Sequence, residues 1–166
     1  MRTVIISGSA RKNGDTNKVI SELLTISNWD HIVLSDFNIS HFDYDHRNKD
    51  DDFITLIKNV VANYDVIILA TPVYWYSMSG IMKVFFDRLT DLLKIEKDTG
   101  KQMRGKYMAA LTSSNGNNLG EQFWLPFQKS ADYLGMHWIT GLHTYQDVNA
   151  QKELINFKNE IETFIL

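Results

Sequence analysis

The sequence predicts an α/β protein, an open doubly wound sheet of five parallel strands with helices on both faces. Three observations carry that prediction. Short apolar, β-branched runs alternate with segments of helical spacing along the whole chain. The central run, Val66-Ile67-Ile68-Leu69-Ala70, has no polar alternation, as a parallel strand buried on both faces requires. Small polar or aromatic loops follow the first, third and fourth runs, each leading into a helix.

The elements follow in order. Thr3-Val4-Ile5-Ile6 is the first strand, and a polar loop over 7–18 leads to a helix carrying Val19, Ile20, Leu23 and Leu24. Trp29 to Leu34 is the second strand, and residues 38–52 are polar and irregular. Asp51-Asp52-Phe53 begins a helix to about Asn63, with Phe53, Leu56, Ile57, Val60 and Val61 on one face. The third strand runs from Tyr64 to Ala70 and is stopped by Thr71-Pro72, because proline cannot continue a central ladder. Tyr74, Trp75 and Tyr76 follow, and Ser77-Met78-Ser79-Gly80 opens a helix to about Lys94. The charged stretch 95–104, with Gly100, reads as a surface loop. Tyr107 to Thr112 is the fourth strand, a polar loop covers 113–118, and a helix spans about 119–134 with Gly135 as its cap. Met136 to Leu142 is the fifth strand. The last helix, 151–165, turns Leu154, Ile155, Phe157, Ile161 and Phe164 inward. Residues 1–166 are expected to form a single domain.

Composition narrows the function. The formal net charge is −3, which implies no basic face and no nucleic-acid partner. The absence of cysteine excludes disulfides, thiolate metal sites, iron–sulfur clusters and thiol catalysis. No apolar stretch approaches a membrane span, and the N-terminal apolar run is too short for a signal peptide, so no membrane association and a cytoplasmic location are expected.

With right-handed crossovers, the loops after strands 1, 3 and 4 share the carboxyl edge of the sheet, where open α/β folds bind ligands. The first holds Ser9, Thr16, Asn17 and the cations Arg11, Lys12 and Lys18 ahead of a helix N-terminus. Free N–H groups, the helix dipole and a guanidinium fork suit a phosphate. The loop has neither the Gly-x-x-x-x-Gly-Lys-Ser/Thr nor the Gly-x-Gly-x-x-Gly spacing, which argues against a nucleoside triphosphatase and a dinucleotide fingerprint. The second loop supplies aromatic and apolar surface at 73–76, and the third small polar groups at 113–118. One phosphate, one planar ring and one polar ring edge describe FMN. They also favour the flavodoxin-like strand order 2-1-3-4-5, with FMN at the switch point between strands 1 and 3.

Two segments in register carry a resemblance. Gly8-Ser9-Ala10-Arg11-Lys12-Asn13-Gly14-Asp15-Thr16-Asn17 resembles the phosphate loop of the NAD(P)H-dependent FMN reductases, in the subgroup that includes the iron–sulfur flavoproteins. Thr71-Pro72-Val73-Tyr74-Trp75, followed by Met82-Lys83 and Phe86-Asp87-Arg88, resembles the second signature of that group, and Gly105-Lys106 is similar to it too. The resemblance implies that Ser9, Arg11, Asn13, Thr16 and Asn17 hold the FMN phosphate. It implies that Pro72, Val73, Tyr74, Trp75 and Tyr76 lie against the flavin, and that Ser113, Ser114, Asn115 and Gly116 contact the isoalloxazine. Iron–sulfur members carry a cysteine cluster after strand 2. Here residues 39–50 contain none, so a plain flavin or quinone reductase is implied. His41, Asp43, Asp45 and His46 offer ligand types suited to zinc or manganese, but their spacing is irregular and the stretch reads as a solvated loop.

The expected reaction is hydride transfer from NADPH or NADH to flavin N5, then to a quinone, flavin, nitro or azo acceptor, with one site used in turn. No protein acid or base is nominated. Tyr74, Tyr76 and Asn115 are candidates to polarise a substrate, while His31, His137 and His143 read as structural. The alternatives are a flavodoxin-type electron carrier, usually more acidic than this chain, and a non-catalytic flavin-binding regulatory domain. Trp75, Tyr76, Met78, Phe123, Trp124 and Phe127 are expected near one edge as exposed apolar surface, which predicts a homodimer or larger with the partner helping to wall the site.

Overall fold

A computed structural model describes residues 1–11, 13–145 and 150–164. Lys12, and the last helix's expected end at residue 165, lie outside the described residues. The elements are β1 (Thr3–Ser7), α1 (Asp15–Ile26), β2 (Asp30–Val33), α2 (Asp52–Asn63), β3 (Val66–Tyr74), β4 (Ser77–Met78) and α3 (Gly80–Arg88). Then come α4 (Asp91–Lys94), α5 (Lys97–Lys101), β5 (Tyr107–Ser114), α6 (Leu125–Leu134), β6 (His137–Tyr145) and α7 (Ala150–Phe164). The parallel strands lie in the order β2-β1-β3-β5-β6, which is the predicted flavodoxin-like order once β4 is set aside.

Alternation along each strand divides the core into two layers. Val4, Ile6, Ile67, Leu69, Met108 and Ala110 face Phe53, Val60, Met82, Phe85 and Phe127 of α2, α3 and α6. Ile5, Ile68, Ala109 and Leu111 face Ile20, Leu23, Leu154, Phe157 and Ile161 of α1 and α7. Each fully buried large apolar side chain contributes about 1.5–3 kcal/mol. Asp51 caps α2 by accepting from the Phe53 N–H at 3.0 Å, and Gly135 ends α6 at φ +72°, a region open to glycine.

The structure differs from expectation in several elements. Pro72 does not end β3, which continues to Tyr74 with Pro72 beside Ser113 of β5. The Gly8 N–H donates to the Ala70 carbonyl, so the peptide groups of residue 70, and by alternation those of 72, face the β1 side. The strand β1 ends at Ser7, paired with Ala70, so the N–H that Pro72 lacks has no ladder to join. The helix expected to reach Lys94 breaks after Arg88 and resumes as α4. The stretch 95–104 is not a loop throughout, because it contains α5, with Thr99 and Met103 buried. Gly100 is there for close packing, since a Cβ would stand 2.3 Å from the Leu92 carbonyl oxygen. The segment over 121–124 is a 3-10 turn ahead of α6. In α7, Ile155 and Phe164 are exposed rather than inward, because the buried stripe passes through Leu154, Phe157 and Ile161.

The expected exposed cluster is also corrected. Phe123, Trp124, Phe127 and Met78 are buried within their own chain. Trp124 covers Gly141, where a Cβ would stand 2.7 Å from the indole, and its ring meets Phe123, Phe127 and Trp138.

Candidate functional site

The carboxyl edge of the sheet is tied together by hydroxyls. Thr144 Oγ1 donates to the Thr112 carbonyl at 3.2 Å, and Thr112 Oγ1 to the Thr71 carbonyl at 2.6 Å. The Ser79 N–H donates to Thr71 Oγ1 at 2.9 Å, and Ser79 Oγ, the N-cap of α3, donates to the Gly8 carbonyl. The Thr16 and Ser113 hydroxyls, both buried, bond each other at 2.6 Å and join α1 to the end of β5. The three loops are thereby held at fixed separations. Gly8 allows the first to touch α3, since a Cβ there would stand 2.9 Å from Met82.

The loop after β1 is wound around one carbonyl. The Arg11 oxygen accepts from Asn17 Nδ2 at 2.9 Å, and from Ser9 Oγ and the Gly14 N–H, both at 3.3 Å. Gly14 is the N-cap of α1, and among the described residues no side-chain cap hydrogen bond is made to the helix. The leading amides and dipole of α1 therefore face the loop without a side-chain acceptor at the cap. Arg11 and Asn13 are exposed beside it.

The loop after β3 is a hairpin. The strands β3 and β4 pair antiparallel, Val73 with Met78 and Tyr74 with Ser77, so Trp75 and Tyr76 are the two turn residues. Both have positive φ, +51° and +60°, the pattern of a type I′ turn that normally takes Asn-Gly. For L side chains that region costs about 1–2 kcal/mol per residue. Trp75 is 95% exposed, Tyr76 63% and Tyr74 48%.

Between this hairpin and the loop after β5 lies an open cleft of about 220 Å³, lined by Val73, Trp75, Tyr76, Ser114, Asn115, Gly116, Asn118 and Leu119. Of the residues named from the sequence, Val73, Trp75, Tyr76, Ser114, Asn115 and Gly116 meet there. Tyr74, Pro72 and Ser113 do not line it, and the phosphate-loop candidates lie around α1. Asn118 and Leu119 were not singled out, though Asn118 falls within the polar run 113–118. Enclosing small-molecule pockets typically run to about 300–1,000 Å³. This cleft is smaller than that and open to solvent.

The segment after β2 is fastened by charge. Arg88 is fully buried, with Nε 2.8 Å from Asp91, Nη1 2.5 Å from Asp51 and 3.1 Å from the Ser40 carbonyl, and its guanidinium over the Phe53 ring. His46 Nδ1 lies 2.9 Å from Asp91, and Asp43 binds Arg47 at 2.6 Å. Burial opposes charge on Asp51. Hydrogen bonds from Arg88 and the Ser40 and Phe53 amides prevail and hold its carboxyl below the ordinary range. Asp43 and His46 are thus engaged with side chains of the chain itself. Among the described residues no three His, Asp or Glu side chains converge as a metal site would need.

Sheet order and edge loops define the class: a flavodoxin-like α/β protein with its cleft at the carboxyl edge, between the loops after β3 and β5. The sequence model of the NADPH-dependent FMN reductases matches residues 1–143, and the chain belongs to that family. It is therefore an oxidoreductase of the kind that works with FMN and NAD(P)H. A Bacillus subtilis protein named as an NAD(P)H-dependent FMN-containing oxidoreductase, YwqN, is 27% identical over 146 residues, covering 82% of this chain and 80% of its own. The general stress protein 14 of Treponema denticola, solved in complex with FMN, matches at TM-score 0.70 and 14% identity over 98% of this chain and 99% of its own. Two-electron reduced Megasphaera elsdenii flavodoxin matches at TM-score 0.54 and 16% identity over 92% and 94%. No helix among the described residues is long and apolar enough to cross a membrane.

Proposed function

We propose that the protein passes a hydride from NADPH or NADH through N5 of a bound FMN to a quinone, flavin, nitro or azo acceptor, the two substrates using one open ring face in turn. The observation that carries this is the cleft itself. An aromatic wall and a polar wall stand across from each other on the same edge as the α1 N-terminus.

The residues present suit the parts of FMN. Arg11, Asn13 and the first amides of α1 offer charge and N–H groups to the phosphate. Ser9 and Asn17 shape that loop through the Arg11 carbonyl, and Thr16 and Ser113 brace it against β5. Val73, Trp75 and Tyr76 give the ring an apolar face and exclude water from it. Ser114, Asn115 and Gly116 present polar groups to its pyrimidine edge. Pro72 and Tyr74 set the hairpin that carries the aromatic wall.

The test is the absorption spectrum of the purified protein, then anaerobic addition of NADPH or NADH. Flavin bands that bleach and return with a quinone are expected, with parallel lines in double-reciprocal plots. Bleaching without turnover on any acceptor would turn the reading to an electron carrier. A colourless protein that takes up no added FMN would overturn it.

The exposed Tyr74, Trp75 and Tyr76 also support a homodimer or larger, with the second copy closing the outer side of the cleft. Sedimentation at micromolar concentration is expected to show at least a dimer, and a monomer would refute this part.

A further inference from the structure

Ser114 stands between the cleft and a histidine that does not line it. Its Oγ–H donates to the Gly116 carbonyl at 2.8 Å, and His143 Nε2 lies 2.6 Å from the same oxygen. A hydroxyl has one proton to give. With that proton on the Gly116 oxygen, the His143 contact needs a hydrogen on Nε2, and Ser114 accepts it. The Gly116 carbonyl thus selects the imidazole tautomer two bonds away.

We infer that His143 is a positioning residue for the flavin. Through Nε2–H it orients the Ser114 hydroxyl, which closes the turn at Gly116 and aims the polar wall at the ring. The inference rests on the proposal that FMN occupies the cleft. His143 lies on β6 opposite Thr112 and is absent from the cleft lining, whereas Ser114, Asn115 and Gly116 are all in it. The imidazole is half-buried, with the Tyr145 ring 5.3 Å away. Burial pushes its pKa below the ordinary histidine value. Burial thus favours the neutral ring, which has a single N–H to place. Without that donor, the Ser114 hydroxyl is no longer held toward Gly116, and the turn 114–116 gains freedom that FMN must remove when it binds.

Three variants separate positioning from packing. His143→Phe keeps a ring and removes the donor. His143→Gln keeps an amide N–H near the place of Nε2. Ser114→Ala removes the relay. FMN affinity is read by quenching of flavin fluorescence, the midpoint potential by anaerobic titration, and folding by thermal melting. The expected result is at least a tenfold loss of FMN affinity in His143→Phe and Ser114→Ala, with potentials displaced in the same direction. The double variant is expected to be no worse than either single one, and His143→Gln to stay within about threefold of the parent. Wild-type affinity and potential in His143→Phe would overturn the inference. So would a His143→Gln as impaired as His143→Phe. A second readout does not involve the flavin. Long-range 1H–15N correlation on the FMN-free protein is expected to show the Nε2–H tautomer at His143, and an Nδ1–H tautomer would overturn the inference even if no FMN binds. Failure of the parent protein to bind FMN would instead count against the proposed function.

Discussion

Two irregular segments invert the usual distribution of side chains, and they do it in opposite senses. Around residues 40–51 charged groups are inside: Arg88 is fully buried, and the Asp51 and Asp91 side chains are 6% and 1% exposed. In the hairpin at 74–76 three aromatic rings are outside. The buried charges are matched, each with a partner within 2.9 Å. The exposed rings pack on no other aromatic ring among the described residues, and two of them sit at positive φ. Polar groups inside with partners hold one another in place, because removing one strands the others. Apolar groups outside on a strained turn lower stability, and under the proposed function they offer surface to the flavin.

The contrast can be broken most strongly at Arg88. Arg88→Met leaves two carboxylates buried without their cation and is expected to cost about 3–5 kcal/mol in urea unfolding. Adding Asp51→Asn and Asp91→Asn is expected to recover much of that loss. An Arg88→Met cost below about 1 kcal/mol would mean that the segment is not held by charge.

The hairpin is expected to move the other way. Replacing Trp75-Tyr76 by Asn-Gly relieves two strained positions and is expected to raise stability by about 1–3 kcal/mol, with FMN retention lost. A gain in stability with FMN affinity intact would sever strain from binding. Trp75→Ala alone is a gentler probe. About a tenfold weaker FMN affinity is expected from the lost ring face, read by fluorescence titration. Unchanged affinity would reassign Trp75 to the contact between subunits.

The smallest effect is acid sensitivity. The folded Asp51 carboxyl lies below the ordinary aspartate value of 3.8, so the folded state binds fewer protons than the unfolded chain over that interval. Its contribution is present above pH 3.8 and is lost as pH falls through the folded value. Unfolding midpoints between pH 5 and 2.5 are expected to fall more steeply in the parent than in Asp51→Asn. Equal slopes would place the acid-labile group elsewhere.

Which parts of this could be read from the sequence follows from range of interaction. The five parallel strands and the stripes of α2 and α7 are local patterns, carried by Val66 to Ala70, by Phe53, Leu56, Ile57, Val60 and Val61, and by Leu154, Phe157 and Ile161. The two walls of the cleft were legible as aromatic and polar runs. The hairpin was not, because Trp-Tyr at its turn carries no Asn-Gly signal. Nor was the burial of Trp124, which depends on Gly141 lying beneath it on β6. Arg88 left one usable clue: three residues after Phe85, it falls on the buried stripe of α3. Its partners come from three separate elements, and no window of sequence contains them. The Ser114–His143 contact has the same character, joining residues 29 positions apart.

The hydroxyl ties at the carboxyl edge have a consequence for how the protein is made. They join residues 71, 41, 32 and 97 positions apart in sequence. Contacts of that range are entropically late events, closed only after the intervening strands have docked. Three of the four ties can close once β5 has docked, and only the Thr144 tie waits for β6. On the ribosome the row would therefore be assembled in steps, first as β5 docks and last when Thr144 has emerged and joined it.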